Sequence, residues 1–396
     1  MLKKFVIYLL LLNLFISCKS LNNPLNVIII DRAKPEEEKE KITLEESYKY
    51  DVDEDFLTDK KYPFRFKKDA VSSIVFHYTA QKFKKSLRSL TSGGNSSHWL
   101  VPEKGETIYK IVNEDRRARH AGESLWKYRK NVNVISVGVE IVNLGFRCRA
   151  LRKYCPKNSL EWLEYPEEQQ KLIVALAKDI QKRYNIDPMC VVGHSDIAPE
   201  RKLDPGPLFP WKRLADNGVG AWVTEEEIRK EIGNIKNSIK GNISRLIVQI
   251  RFHEFGYDIK KMGSSNKSLQ NKILKYQYSL RKSPIGELSE LNQVNDFGNK
   301  KPDNNIFDDN KTNFAIQAFL MHYRPKLYLA NENSDQFTDH YDKHKLDHIP
   351  DRESDNAVDN KAKYNVENIE LLATLQALLV KYPNKTRVSC EFDLPK

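Results

Sequence analysis

A chain of 396 residues is long enough for two domains of ordinary size, each with its own core, although one is not excluded. Lysine and arginine total 65 against 54 acidic residues, a formal net charge of +11. That balance favours acidic or membrane-surface neighbours and decides nothing about the fold.

The first element is the N-terminal stretch MLKKFVIYLLLLNLFISCKS, with two lysines, an apolar run from Phe5 to Ile16, Ser17 and then Cys18. It reads as a secretory signal (residues 1–17), too short and wrongly flanked to be a spanning helix. The pattern resembles a bacterial lipoprotein lipobox, which implies acylation of Cys18 and a mature chain that begins there. Lys19, in place of an aspartate, implies the outer membrane, facing the periplasm. The competing reading is a soluble secreted protein cleaved nearby.

Residues 18–62 are charged and mostly non-periodic, with EEEKEK near the middle, and read as a linker. From residue 63 to 223 the texture is that of an α/β domain. "SSIVFHYT" has the length of a strand, and Phe83, Leu87 and Leu90 share one face of a following helix. "SSHWLVP" and "ETIYKIV", split by "EKGE", read as a hairpin. "VISVGVEIVN" is a further strand, and Pro166 opens a helix faced by Ile173, Leu176, Ile180 and Tyr184. "CVVGH" is a last short strand that runs into the loop "GHSDIAPERKLDPGPLFPW", whose prolines break any regular structure and stiffen the backbone. Strands alternating with helices predict a mixed sheet flanked by helices, an α/β/α sandwich.

Residues 224–396 read as a small all-α domain. Helical patterns run through Ile243, Leu246, Ile247 and Ile250, through "NFAIQAFLMHYRP", and through Ile369, Leu372, Leu375 and Leu379. Polar stretches at about 285–312 and 327–363 lack the apolar content to fold alone. Of the remaining cysteines, Cys148 and Cys155 bracket a basic loop that one disulfide could close, and their spacing matches no zinc motif. Cys190 sits in an apolar run and reads as a small buried residue.

Polar residues that interrupt apolar strands are the candidates for chemistry. In "SSIVFHYT", alternation sets Ile74, Phe76 and Tyr78 on one side and Val75, His77 and Thr79 on the other. In "VISVGVEIVN", Val137, Val139 and Ile141 share a face, with Gly138 and Glu140 opposite. A carboxylate in a central strand is costly to bury without a cation beside it. His194 ends the last strand, Asp204 follows ten positions on, and Lys202 lies between. Imidazole and carboxylate suit zinc, and His77, His194 and Asp204 make the three protein ligands of a catalytic site if the strand ends are neighbours.

The segments IVFHYTA, SSHWLVP, RHAGES…W, VGVEIVN and VVGHSDIAPERKLDPGPLFPW, in this order, closely resemble the zinc-dependent N-acetylmuramoyl-L-alanine amidases of the periplasmic AmiD type. The superfamily also holds peptidoglycan recognition proteins and phage-lysozyme amidases. The resemblance covers about residues 65–222, and extends more weakly to "FAIQAFLMHYRP" and "ENIELLATLQALLVKY", which look like helices of a peptidoglycan-binding domain. It implies zinc held by His77, His194 and Asp204, Glu140 as catalytic acid/base, and Lys202 polarising the scissile carbonyl. It also implies that His120 lies beside the substrate groove and that His98 is structural. The expected substrates are peptidoglycan and muropeptide fragments, cut at the amide between N-acetylmuramic acid and L-alanine. No nucleic-acid partner is expected, and nothing argues against a monomer. A non-catalytic muropeptide-binding protein and an endopeptidase acting within the stem peptide remain the other readings. Asp196, Glu200 and Arg201 are left as ordinary loop or groove charges.

Overall fold

Six strands form the central sheet: β1 (Asp51–Asp53), β2 (Ser73–Tyr78), β3 (Trp99–Val101), β4 (Thr107–Lys110), β5 (Ser136–Ile141) and β6 (Val191–Gly193). Their spatial order is β1-β4-β3-β5-β2-β6. The pairings are parallel except for β3 with β4, the antiparallel hairpin expected around "EKGE". In the computed structural model the described residues are 49–66, 70–92, 94–148, 155–156, 160–239, 243, 245–260, 307–332, 340–341 and 368–383. The signal segment, Cys18, the first part of the linker, most of both polar inserts, the Cys155 side chain and Cys390 lie outside them.

The two faces of the sheet separate as the alternation predicts. Ile74, Phe76, Val137, Val139 and Ile141 bury against Leu172, Ile173, Leu176 and Ile180 of the helix α2 (Glu167–Tyr184). On the other face Val75 and Val192 join a second core, and His77 and Glu140 stand beside them in register. Helix α1 (Phe83–Ser92) contributes Leu90 to a third cluster with Leu100, Ile111 and Val112.

Four expectations change. The end of the supposed linker is not linker, because Asp51–Asp53 pairs with β4 at the sheet edge. A three-residue acidic strand carries no readable period. The loop after β6 is not wholly irregular, since His194–Ile197 makes one helical turn and Trp211–Asp216 another short helix. The helical region also holds more than three helices: α3 (Glu225–Ser238), α4 (Arg245–Phe255), α5 (Asp309–Tyr323), α6 (Pro325–Glu332) and α7 (Asn368–Lys381). Helix α3 had a legible start in Thr224 and Glu227, which form a reciprocal capping box. Both polar stretches are shorter than expected, as Asp308 caps α5 and Tyr328 of α6 is buried.

The described residues, all of which lie within Leu44–Lys396, belong to one compact unit. Val75, Trp126, Met189, Val192 and Leu203 of the sheet region share a core with Ile247, Phe252, Phe319, Leu372 and Leu375 of the helices. Cys148 and Cys190 are each disulfide-bonded. Cys190 is thus not the plain buried thiol expected, for apolar surroundings look the same around a thiol and a half-cystine.

Candidate active site

Two parallel neighbours, β2 and β6, end side by side, and this brings His77 and His194 together from 117 residues apart. The loop after β6 folds back so that the Ser195 N–H donates to the Asp204 carbonyl at 2.8 Å, which turns the Asp204 side chain to the same point. His77 Nδ1 lies 2.9 Å from His194 Nδ1 and 3.1 Å from Asp204 Oδ2, and His194 Nδ1 lies 3.0 Å from that oxygen. All three side chains are buried. Among the described residues this is the group of His, Cys, Asp and Glu side chains close enough to share a metal ion.

The protons decide whether the cluster wants a cation. His194 Nε2 donates to the Ala121 carbonyl at 3.1 Å. Burial pushes the His194 pKa down to about 4, so the ring is neutral at pH 7 and turns a bare Nδ1 inward. Burial opposes ionisation of Asp204 as well, but the charge and N–H groups that His194 and His77 present when protonated outweigh it and hold that carboxyl well below its usual range. An anionic oxygen about 3 Å from a bare imidazole nitrogen is repulsive unless positive charge sits between them, which is what a metal ion supplies.

Glu140 stands beside His77 on the adjacent strand, in register. Its Oε2 is buried and finds no hydrogen-bond partner among the described residues. Burial raises its carboxyl above the ordinary value, the Asp204 charge adds to this, and His77 and Lys202 oppose it. The expected cation near Glu140 is thus present as Lys202, with the candidate metal-binding cluster alongside. Lys202, Glu140, His77, His120, His194 and Asp204 all line one cavity of about 830 Å³.

His120 does reach the cavity wall, but its ring is engaged inward: Nδ1 is 3.0 Å from His77 Nε2, and Nε2 is 3.2 Å from Ser136 Oγ. Neither nitrogen is left for a ligand. His98 is fully buried, accepts from the Gly138 N–H at 2.9 Å and lies 3.1 Å from the Arg116 carbonyl. Burial and the adjacent Arg65 push its pKa down to about 3, in keeping with the structural role expected.

Two residues that brace the cluster escape sequence reasoning. Asp196 is no loop charge: it is 1% exposed and accepts from the Gly193 N–H, the Tyr257 hydroxyl and His322. Its signal was its place as the third residue of a helical turn opened by Gly193, where an acid caps free N–H groups. Asn133 accepts the backbone N–H of both His120 (3.0 Å) and Ala121 (2.8 Å), which no local pattern announces. Arg201 donates to the carbonyls of Ala121 and Glu123, and Glu200 pairs with Lys311.

Residues 67–207 match the family model for N-acetylmuramoyl-L-alanine amidase. The chain is 39% identical over 197 residues to N-acetylmuramoyl-L-alanine amidase AmiD of Escherichia coli (strain K12), covering 48% of this chain and 68% of that protein. It is 34% identical over 119 residues to the 1,6-anhydro-N-acetylmuramyl-L-alanine amidase AmpD of Enterobacter cloacae, which is 30% of this chain and 54% of that one. Among solved structures, AmiD from E. coli in complex with anhydro-N-acetylmuramic acid-L-Ala-D-gamma-Glu-L-Lys superposes with a TM-score of 0.51 at 28% identity. That match covers 79% of this chain and 90% of AmiD, so it includes helices beyond the sheet region. AmpDh3 from Pseudomonas aeruginosa in complex with anhydromuramic pentapeptide gives 0.53 at 28% identity, over 79% and 92% of the two chains. With residues 67–207 on the family model and 39% identity across 68% of the length of AmiD, the chain belongs to the N-acetylmuramoyl-L-alanine amidases.

Proposed function

We propose that this amidase uses zinc to hydrolyse the amide between the lactyl carbonyl of N-acetylmuramic acid and the L-alanine of the stem peptide. The observation that carries the reading is the convergence of two imidazole nitrogens and a carboxylate within 2.9–3.1 Å, beside Glu140, whose Oε2 has no partner among the described residues. Two imidazoles and a carboxylate converging at one buried point are a donor set that suits zinc. His77, His194 and Asp204 would be its ligands. Bound there, the ion supplies Lewis acidity, making a water easier to deprotonate and a carbonyl easier to attack.

The chain's own groups do the rest. Glu140, its carboxyl lifted by burial above the ordinary value, takes the proton of the attacking water and returns it to the alanine nitrogen as the C–N bond breaks. Without that proton the amine is a poor leaving group. Lys202, on the cavity wall, donates to the carbonyl oxygen as negative charge develops there; one such donor is worth about 10²–10³ in rate in other enzymes. The complexes of solved relatives with anhydromuramic peptides support muropeptides as the ligand.

The same reading puts the enzyme in the periplasm, tethered to the outer membrane through Cys18, with its helical region holding peptidoglycan. The signal-like N-terminus supports this, and disulfide-bonded Cys148 and Cys190 fit an oxidising compartment. Incubating the zinc-loaded protein with defined muropeptides, followed by mass spectrometry, tests the chemistry. Intact stem peptides starting at L-alanine are expected, and none after chelation. Binding without cleavage, or cuts inside the peptide, would overturn the proposal.

A further inference from the structure

We propose that His120 is a positioning residue, which fixes the tautomer and ring orientation of His77 so that His77 Nδ1 faces the metal site. The inference rests on the metal-binding reading above. Proton directions follow from one backbone carbonyl. Val132 O can only accept, and Ser136 Oγ lies 2.7 Å from it, so the single hydroxyl proton points there. Ser136 Oγ therefore accepts from His120 Nε2, 3.2 Å away. The His120 ring is buried and meets no carboxylate among the described residues, so it carries one proton, already committed to Ser136. Its Nδ1 is bare and takes the proton of His77 Nε2 at 3.0 Å. His77 Nδ1 is then bare as well, and it is this nitrogen that stands 2.9 Å from His194 Nδ1 and 3.1 Å from Asp204 Oδ2.

The neighbouring backbone repeats the device for the other imidazole. Ala121 O takes the His194 Nε2 proton, and Asn133 Oδ1 clamps the N–H groups of both His120 and Ala121. One dipeptide thus sets the proton positions of both metal-facing rings. Gly138 makes room for it, since a Cβ there would lie 2.4 Å from His120 Cγ. Orienting partners of metal-bound histidines are more often carboxylates, carbonyls or water; here the partner is a second imidazole whose own polarity is dictated by a serine.

The test reads zinc affinity of the intact protein by competition with a chromophoric chelator. His120→Leu is expected to weaken zinc binding about 10–100-fold, the usual effect of losing an orienting partner. His120→Asn, whose side-chain carbonyl can accept in place of Nδ1, is expected to recover most of it. In long-range nitrogen–proton spectra of metal-free protein, His77 should show a single Nε2–H tautomer in the wild type and lose it in His120→Leu. Ser136→Ala leaves His120 in place and stays clear of the cavity lining, so it serves if the leucine variant does not fold; weaker zinc binding is expected there too. Unchanged zinc affinity in His120→Leu with a raised KM would mean a substrate contact and overturn the inference. Unchanged affinity in Ser136→Ala would do the same where that variant alone folds. A wild-type protein that binds no zinc overturns the zinc reading along with it, whereas a zinc-binding wild type with insensitive variants overturns this inference alone.

Discussion

Asp196 and His322 meet across 126 residues of sequence, with His322 Nδ1 2.8 Å from Asp196 Oδ2 and both side chains 2% exposed or less. The other carboxylate oxygen takes the Tyr257 hydroxyl at 2.7 Å, and the His322 ring stacks on Trp211 at 3.6 Å. Asp196 is two residues from His194, so the turn that carries His194 is tied to α5 and to the segment after α4 by one buried acid. The helical region is part of the support of the active-site loop as well as a neighbour of it.

Replacing that acid with alanine should therefore destabilise the whole described unit. Asp196→Ala leaves a phenol, an imidazole and a backbone N–H buried without their acceptor, a cost of about 3–5 kcal/mol by analogy with broken buried pairs. Urea unfolding should show one transition shared by sheet and helices, shifted to lower denaturant in the variant. Two separate transitions, with only the helical one moved, would contradict the shared core.

Gly138→Ala is the second prediction. Gly138 lies in β5 with no unusual backbone demand, yet its missing Cβ is filled by the His120 ring. The ring cannot retreat without releasing His77 and Ser136, so overpacking should cost about 1–3 kcal/mol and loosen metal binding in step. Thermal unfolding with and without zinc measures both. A variant as stable as the wild type and unchanged in its zinc-dependent stabilisation would show that the ring is not held there.

The pH dependence of stability should carry a signature from Glu114, away from the metal cluster. Burial works to raise its carboxyl, but hydrogen bonds from Arg183, Tyr184 and Trp99 outweigh burial and hold it below the ordinary 4.5. The unfolded chain then takes up the proton before the folded one does. The stabilisation is complete above pH 4.5 and is lost as pH falls through the lowered folded value. In Glu114→Gln the gap to wild-type stability should be widest near neutrality and close as the solution is acidified below that point. A gap independent of pH would show that the carboxylate charge contributes nothing.

Much of this architecture was legible because strand alternation and apolar runs are local. His77 and Glu140 stood out as polar residues on otherwise apolar strand faces, and their register on neighbouring strands now explains why both matter. Asp51–Asp53 was too short and too acidic to read as a strand. Asp196 looked like its neighbours Glu200 and Arg201, because only the fold decides which loop charge meets a tyrosine and a histidine far along the chain. His120 was legible as a site residue, while its direction was not. Its partners lie 43 residues before it and 16 after it, and a sequence does not say which side of a ring faces the ligand.

Glu140 and His77 should separate when each is removed. His77→Ala deletes one of three convergent atoms and is expected to lose both zinc and turnover. Glu140→Ala deletes no such atom; its Oε2 has no partner among the described residues to strand, and the side chain faces the cavity, so zinc binding and stability should stay near wild type. Turnover should fall by about 10²–10⁴, the usual worth of a positioned acid/base. The two measurements are metal content of the purified variants and the rate of stem-peptide release at saturating muropeptide. If Glu140→Ala keeps a near-normal rate, another group moves the proton and the buried carboxylate has been given the wrong role. If it loses zinc as His77→Ala does, Glu140 belongs to the metal site itself, and its place beside His77 in the sheet would mean coordination rather than acid/base chemistry.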